Sequence, residues 1–290
     1  MKVRLHPSER EFGAVVDVVY RPDPVAYTVE LTTLRVPAAD GSRILLSVAD
    51  GDAAIGAAVQ VSNAALLTSG LAPAHATDVA AALADDHPRL PAVRGTRCSS
   101  TAFVTAWSAL TGAAAELTDV EPLYRLVDLA APSGVAGESR LAVGREVELL
   151  VDWLDAFFVE AFGLASDRTA RRAYLDEIAV ADGDIVVWTA GSAPVSMARV
   201  HAPLAGVSRI GPVYTPPEHR GHGYAAAVTA AAARHAHRRG ADEVVLFADA
   251  ANPVANRVYQ RIGFTTVDEH LQYAFTPCGG RDPAPSCTAT

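Results

Sequence analysis

The residues best placed to do chemistry lie in Val213-Tyr214-Thr215-Pro216-Pro217-Glu218-His219-Arg220-Gly221-His222-Gly223-Tyr224-Ala225, a strand pattern that passes through a glycine-containing turn into an alanine-rich helix. Glycine at 221 and 223 lets the chain wrap closely around a ligand with no β-carbon in the way. The first turn of the following helix presents N–H groups that have no intrahelical acceptor, at the positive end of the helix dipole. Such a turn takes an anion, and a pyrophosphate suits it. Taken alone, the same residues also read as a tight strand-to-helix turn with no ligand. The turn lacks the Gly-Lys-Ser/Thr ending of a nucleotide P-loop and the three-glycine spacing of a dinucleotide fold, so neither of those readings finds support. His219 and His222 sit three apart, but their backbone belongs to the anion turn and no third ligand converges in sequence, so no metal is expected.

A second patterned segment follows, Asn252-Pro253-Val254-Ala255-Asn256-Arg257-Val258-Tyr259-Gln260-Arg261-Ile262-Gly263-Phe264. Asn252 as N-cap with Pro253 at the first helical position starts a helix on local grounds. Asn252, Asn256 and Tyr259 then fall at i, i+4 and i+7 on one face, Ala255, Val258 and Ile262 make the apolar face, and Gly263 ends the helix. Each polar residue has a plainer alternative: Asn252 as a cap only, Asn256 as a solvated surface residue, Tyr259 as a core tyrosine with a satisfied hydroxyl. Upstream, Gly211-Pro212 interrupts the strand that leads to the turn. A proline cannot donate to a ladder, so this strand must part from a neighbour or bulge there.

Arg220 with Gly223 and Ala225 matches the Arg/Gln-x-x-Gly-x-Gly/Ala signature of the GNAT superfamily of N-acetyltransferases. The segment from Asn252 to Phe264 resembles that family's Asn-x-x-Ala-x-x-x-Tyr-x-x-x-Gly-Phe element. The two occur in the right order within about fifty residues, and the resemblance extends over about Arg140 to Phe275, a little under half of the chain. It implies acetyl-CoA (coenzyme A) as co-substrate. Arg220, Gly221, His222, Gly223, Tyr224 and Ala225 would hold the pyrophosphate, and Asn252, Asn256 and Tyr259 would line the coenzyme arm. The splayed strand would open a cleft for the pantetheine arm, with backbone groups of Val213 and Thr215 free to bond its amides. Tyr259 would be the donor to the leaving thiolate.

An alkylamine near the lysine reference pKa of about 10.4 is mostly protonated at about pH 7, so a proton must leave before it attacks. No carboxylate occupies Val207 to Thr215; Glu160, on the first helix of the resembling region, is one candidate base, and a chain of waters is another. Attack is expected to be direct, because Cys98 lies outside this region and no nucleophile accompanies the motif. The expected activity is transfer of an acetyl group from acetyl-CoA to a primary amine of a small molecule or peptide. The alternatives are a non-catalytic acyl-CoA sensor or assembly module, and transfer of a longer acyl group.

The elements that must position these residues repeat a pattern. Before the small-residue stretch Ala131-Pro132-Ser133-Gly134-Val135-Ala136-Gly137 come a hairpin about Asp50-Gly51 (Ile44 to Ala49, Ala53 to Val61), a run from Ala64 to Leu67, helices from about Thr77 to Ala84 and Ser99 to Leu110, and a strand from Leu123 to Leu129. After it come a strand (Arg140 to Val143), helices (Glu146 to Phe162, Thr169 to Val180), a hairpin (Ile185 to Thr189, Ala193 to Val200), the strand Val207 to Thr215, a helix from Tyr224 to Arg239, a strand (Val244 to Ala248), the helix Pro253 to Ile262 and closing strands from Phe264 to Phe275. The fold class expected is α/β in the sense of an α+β mixed sheet: two GNAT-like units, each a twisted, mostly antiparallel sheet flanked by helices, with a splayed central strand pair in the C-terminal one. The boundaries expected are 1–134 for a degenerate N-terminal unit, 138–276 for a catalytic unit and 277–290 for a disordered tail. The N-terminal unit's equivalent turn, Leu71-Ala72-Pro73-Ala74-His75-Ala76-Thr77, has no glycine pair and makes a poor anion site.

At 290 residues, 50% hydrophobic and 20% charged, the chain has the composition of a foldable globular protein of two ordinary domains. No run reaches the roughly eighteen apolar residues of a membrane span, and the N-terminus does not read as a signal peptide. Net charge −9 disfavours nucleic acid as partner and leaves a cationic acceptor open. Cys98, Cys278 and Cys287 have no metal spacing, and a reducing cytoplasm is the expected compartment, with a monomer or homodimer the expected state.

Overall fold

The computed structural model describes residues 1–35, 42–62, 64–87, 89–180 and 184–276. The tail expected at 277–290 lies outside the described residues. In chain order, β1 (Lys2–Leu5), α1 (Glu9–Val15) and α2 (Thr28–Thr33) precede β2 (Arg43–Asp50), β3 (Ala53–Val61), β4 (Leu66–Leu67), α3 (Ala76–Ala84), β5 (Ala92–Thr96), α4 (Arg97–Thr111) and β6 (Ala114–Leu126). Then come β7 (Glu138–Leu141), α5 (Val147–Phe162), α6 (Arg168–Val180), β8 (Asp184–Ala190), β9 (Ala193–Val200), β10 (Val207–Tyr214), α7 (Tyr224–Arg238), β11 (Glu243–Phe247), α8 (Pro253–Arg261) and β12 (Phe264–Thr276). The elements fall into two compact units. One gathers residues 1–12, 42–118 and the described residues from Leu271 to Thr276; the other gathers residues within 13–41 and 119–270.

In the first unit β1, β2, β3 and β4 pair antiparallel, and β4 pairs parallel with β5. The hairpin between β2 and β3 forms where expected, but its loop is Gly51-Asp52, since Asp50 pairs with Ala53 and only Gly51 of the two has positive φ. A register shift at Val48/Ala49 absorbs the difference. The core sets Ile44, Leu46 and Val48 against Val79 and Leu83 of α3 and Phe103 and Trp107 of α4. Phe275, from the end of β12, belongs to the same core, with its ring 6.1 Å from Trp107. In the turn at 71–77 the amides of Leu71 and His75 bond the carbonyls of Thr68 and Ala72, so those two donors are already committed.

The second unit is a mixed sheet. Its strands run in the order β6, β11, β10, β9, β8, β7, with the first part of β12 beside β6. β7, β8, β9 and β10 pair antiparallel, β10 and β11 parallel, and β11 and β6 antiparallel. Strand alternation sends Val186, Ala198, Val200 and Ile210 to one face, where they meet Val228, Ala231 and Ala232 of α7. Alanines on that helix let its backbone lie close to the sheet. Val187, Met197 and Tyr214 go to the other face, where α5 packs through Leu150, Trp153 and Leu154, with Tyr174 and Leu175 of α6 beside them. The aromatic group Trp153, Phe157 and Phe158 is therefore core.

The stretch Ala131 to Gly137 runs inside the second unit and is tied to it. Trp188 Nε1 donates to the Ala136 carbonyl at 3.0 Å. Gly137 passes so near β8 that a β-carbon there would come within 2.0 Å of the Thr189 carbonyl oxygen, which only a residue lacking one tolerates. Gly263 is constrained in the same way: its β-carbon would sit 1.8 Å from the Asp128 carbonyl oxygen. Among the described residues no helix is long and apolar enough to cross a membrane.

Candidate active site

The split expected at Gly211-Pro212 is present. β10 pairs with β11 only through Val207 to Ile210, against Glu243 to Leu246. Beyond Ile210 its pairing continues with β9 alone, after a register shift between Ile210 and Val213. β11 meanwhile stays with β6 to Phe247, opposite Leu123. The two parallel strands thus separate toward their C-terminal ends, and α7 begins just past the end of one, α8 just past the end of the other.

The turn before α7 has the backbone that its glycines permit. Gly221 and Gly223 both have φ +81°, in the left-handed region. Residues 221–223 are exposed, and the N–H groups of Gly221, His222 and Gly223 have no backbone acceptor among the described residues. Nothing lies within 4 Å of where a β-carbon on Gly221 would stand. The amides at the head of α7, a helix of 15 residues, add the dipole's positive end. His222 holds the turn: its Nδ1 lies 2.8 Å from the Arg220 carbonyl, which can only accept, so Nδ1 carries the proton, and its ring stacks on Tyr224 at 5.4 Å. Val135 Cγ2 supports the turn from behind, 3.1 Å from the place of a Gly223 β-carbon.

Arg220 does not point its charge into that turn. Its Nε donates to the Thr215 carbonyl at 2.9 Å and its Nη2 to Glu160 Oε2 at 2.6 Å. The Thr215 carbonyl, expected to be free, is therefore engaged, because the arginine folds back over the end of β10. Glu160 accepts on its other oxygen from the Tyr214 hydroxyl at 2.9 Å. Burial first, and then this bond to a carboxylate, push the Tyr214 pKa up to about 12. With both oxygens accepting from donors, Glu160 in this arrangement positions Arg220 and Tyr214. The Arg220–Glu160 pair is about half exposed on both sides (49% and 44%), so it contributes little to stability.

α8 forms on the expected signals. Asn252 caps it through Oδ1, which accepts from the Ala255 N–H at 3.0 Å. Asn256 donates to the carbonyls of Asp249 and Asn252 and accepts from the Tyr124 hydroxyl at 2.8 Å, so it fastens the loop after β11 to α8 and to β6. Asn252 thus takes the capping role that was its plainer alternative, whereas Asn256, partly buried with three partners, is not the solvated surface residue that was its own. Tyr259 is different. It is buried to 9% exposure, and its ring lies 6.3 Å from the rings of Tyr124 and Phe264. Its hydroxyl has no hydrogen-bond partner among the described residues, and burial pushes its pKa up to about 12. Val213, Ala226, Ala255 and Tyr259 join one apolar cluster, which brings the split strand, the head of α7 and α8 together. His219 and His222 gain no third ligand; among the described residues no three His, Cys, Asp or Glu side chains gather as a metal site.

Residues 147–264 match the model of the acetyltransferase (GNAT) family. That segment is similar to a GNAT acetyltransferase domain. Over 76 residues, 24% of this chain and 26% of the relative, the chain is 45% identical to a protein named mycothiol acetyltransferase from Thermobispora bispora. Over 97 residues, 32% of this chain and 31% of the relative, it is 33% identical to one of the same name from Catenulispora acidiphila. The chain thus spans between about a quarter and a third of the length of these curated relatives. Among solved structures, a tandem GNAT protein from the clavulanic acid biosynthesis pathway superposes with TM-score 0.60 at 14% identity, covering 97% of this chain and 100% of that one. A GCN5-related N-acetyltransferase from Sphaerobacter thermophilus superposes with TM-score 0.62 at 19% identity, covering 96% of each chain. At such identities the likeness is one of fold.

Sequence reasoning missed Tyr124 and the Tyr214–Glu160–Arg220 chain. Tyr124 reaches α8 only because β6 lies beside β11, a pairing with no local signal. Tyr214 stands inside the quoted loop, but the side-chain direction that joins it to Glu160 depends on the register shift after Ile210.

Proposed function

We propose that this protein transfers an acetyl group from acetyl-CoA to a primary amine of a small molecule or peptide, by direct attack. The observation that carries this reading is the open turn before α7 beside a split strand pair, with an unpartnered tyrosine hydroxyl in the apolar cluster that joins them. The turn at Gly221 and Gly223 suits the diphosphate of acetyl-CoA. Both have the left-handed φ that turns successive amides to one side, and a β-carbon at Gly221 would stand in open space where a diphosphate would approach. The residues that would hold the coenzyme are the amides of Gly221 to Ala225 and backbone groups of β10 from Val213; Arg220 would have to leave Glu160 to join them. Acetyl-CoA supplies the activated acyl group and a thiol leaving group.

The chain's own residues do the rest. The split holds amine and thioester in one cleft, and such positioning contributes the larger share of the rate. Tyr259 donates a hydrogen bond where negative charge develops on sulfur. The amine's proton leaves through water. Domains in this reading are a catalytic GNAT unit and a first unit without an anion turn. The mycothiol acetyltransferase name of the relatives supports acetyl transfer and an amine-bearing small molecule as the first acceptors to try. Thermal-shift titration with acetyl-CoA, followed by an amine screen that reads thiol release, tests the proposal: stabilisation and release together support it. Stabilisation with no release across the screen supports a non-catalytic acyl-CoA sensor instead.

A further inference from the structure

The second unit contains a pocket that none of these steps uses. It is lined by Tyr174 and Glu177 of α6, Arg199 near the end of β9, His201 just beyond, Arg209 of β10 and Arg35 just past α2, among others. Three arginines converge here in a chain of net charge −9.

Arg199 is the most telling. It is 8% exposed, its Nη1 donates to the Tyr174 hydroxyl, and its guanidinium carbon lies 4.9 Å from the centre of that ring. Its Nε is buried with no acceptor, and it forms no ion pair among the described residues. A guanidinium withdrawn from water with a donor unmet costs several kcal/mol unless an anion completes it. Arg35 is exposed and also forms no ion pair among the described residues. Glu177 places a carboxylate in the wall, but it is exposed and pairs with none of these arginines among the described residues. Burial, with the positive charges of Arg209 and Arg199 beside it, holds the His201 pKa well below its ordinary value. His201 is therefore neutral near pH 7 and adds hydrogen-bonding capacity without charge. The buried, unmet donor of Arg199 is what an anion would meet.

The pocket's place in the fold gives the anion a use. Arg199 shares a strand face with Met197, the face covered by α5 and α6 and not by α7. Arg209 stands two residues before Gly211, about 7 Å along the strand from where β10 leaves β11. An acceptor anchored by an anionic group in the pocket would have its amine within reach of the split.

We propose that this pocket binds the anionic group, a carboxylate or a phosphate, of the amine that the GNAT domain acetylates. The proposal rests on the acyl-transfer reading, and its test separates the two. Melting temperatures are measured for the wild-type chain, Arg199→Gln and Arg35→Ala with and without inorganic phosphate. The difference between proteins reads the pocket alone, since neither variant touches the turn before α7. Thiol release from acetyl-CoA is then followed with propylamine, β-alanine and O-phosphoethanolamine. Phosphate should raise the wild-type melting temperature more than that of either variant. One of the anionic amines should be preferred about tenfold or more in kcat/KM, through KM, and lose that preference in the variants. Which one is preferred tells carboxylate from phosphate. Equal phosphate stabilisation of all three proteins, or turnover indifferent to the amine's charge, overturns the proposal. If no amine is acetylated while the phosphate effect is still lost in the variants, acyl transfer and the acceptor role fall together and an anion site alone remains. Arg35→Ala, a surface change, keeps the test intact should Arg199→Gln fail to fold.

Discussion

Replacing Tyr259 by phenylalanine removes one oxygen that no described residue holds. The ring keeps its neighbours Tyr124 and Phe264, so stability should change by no more than about 0.5 kcal/mol and the melting temperature should stay put. The kinetic effect follows from the state of the hydroxyl. Burial pushes its pKa up to about 12, so it is protonated throughout the working range. A leaving thiolate with a pKa of about 8.5, by analogy with cysteine, lies roughly 3.5 units lower, which makes complete proton transfer uphill by about 5 kcal/mol. The group therefore acts as a hydrogen-bond donor to the sulfur. A bond to a charged acceptor contributes about 1.5–3 kcal/mol, so Tyr259→Phe should lower kcat about 10- to 150-fold. The assay is thiol release at saturating acetyl-CoA and amine, with an acetyl-CoA thermal shift as the binding control. The ratio of wild-type to variant rates should be flat from about pH 6 to about pH 10, since a group near 12 titrates beyond that window. Full activity in the variant, or a ratio that bends within that range, would refute the assignment.

Three further outcomes follow from the geometry. Gly221→Ala places a side chain on a left-handed backbone at a cost of about 1–2 kcal/mol, and it intrudes where a diphosphate would lie; acetyl-CoA affinity measured by titration calorimetry should drop several-fold, and an unchanged affinity would remove the turn from the coenzyme site. Glu160→Gln breaks a half-exposed ion pair, so the effect on kcat should stay within about fivefold and the pH–rate profile should keep its shape; disappearance of its ascending limb would make Glu160 the base after all. Glu146 accepts from Nη1 and Nη2 of Arg140 and from the Val143 N–H, and the hydrogen bond from Arg140 holds its pKa below the ordinary carboxylate value. A depressed folded pKa contributes stability that is present above about pH 4.5 and lost as pH falls through the folded value, so Glu146→Gln should cost about 1–3 kcal/mol in urea unfolding at pH 7, and the gap to wild type should close in acid.

Much of the fold was legible where local rules and tertiary placement agree. The helices α4, α5, α7 and α8 and the hairpin of β8 and β9 sit within a residue or two of their periodic and capping signals. The splay at Gly211-Pro212 was readable because a missing N–H is a property of one residue. What escaped depends on partners far away in sequence. β6 begins at Ala114, nine residues before the apolar run at Leu123, because its exposed first half carries no apolar stripe. α1, the π-helical turn at Val16–Tyr20, α2 and β5 have short or mixed patterns that packing decides. At the site, the amide turn was visible in its glycines, whereas the folding back of Arg220 onto Glu160 was not, since α5 and the end of β10 are distant in sequence. The pocket arginines did leave a trace. Arg199 and Arg209 interrupt otherwise apolar or small strand runs, and a charge in the middle of a buried strand asks for a reason.

The first unit takes its last core ring from the far end of the chain. Phe275 is buried against Trp107, and the strand that carries it is made after everything in the second unit. On the ribosome, then, the part of the protein synthesised first is among the last that can be finished. A nascent chain halted anywhere before β12 would leave Trp107 without its Phe275 neighbour, and exposed apolar surface of that kind invites aggregation until β12 is made.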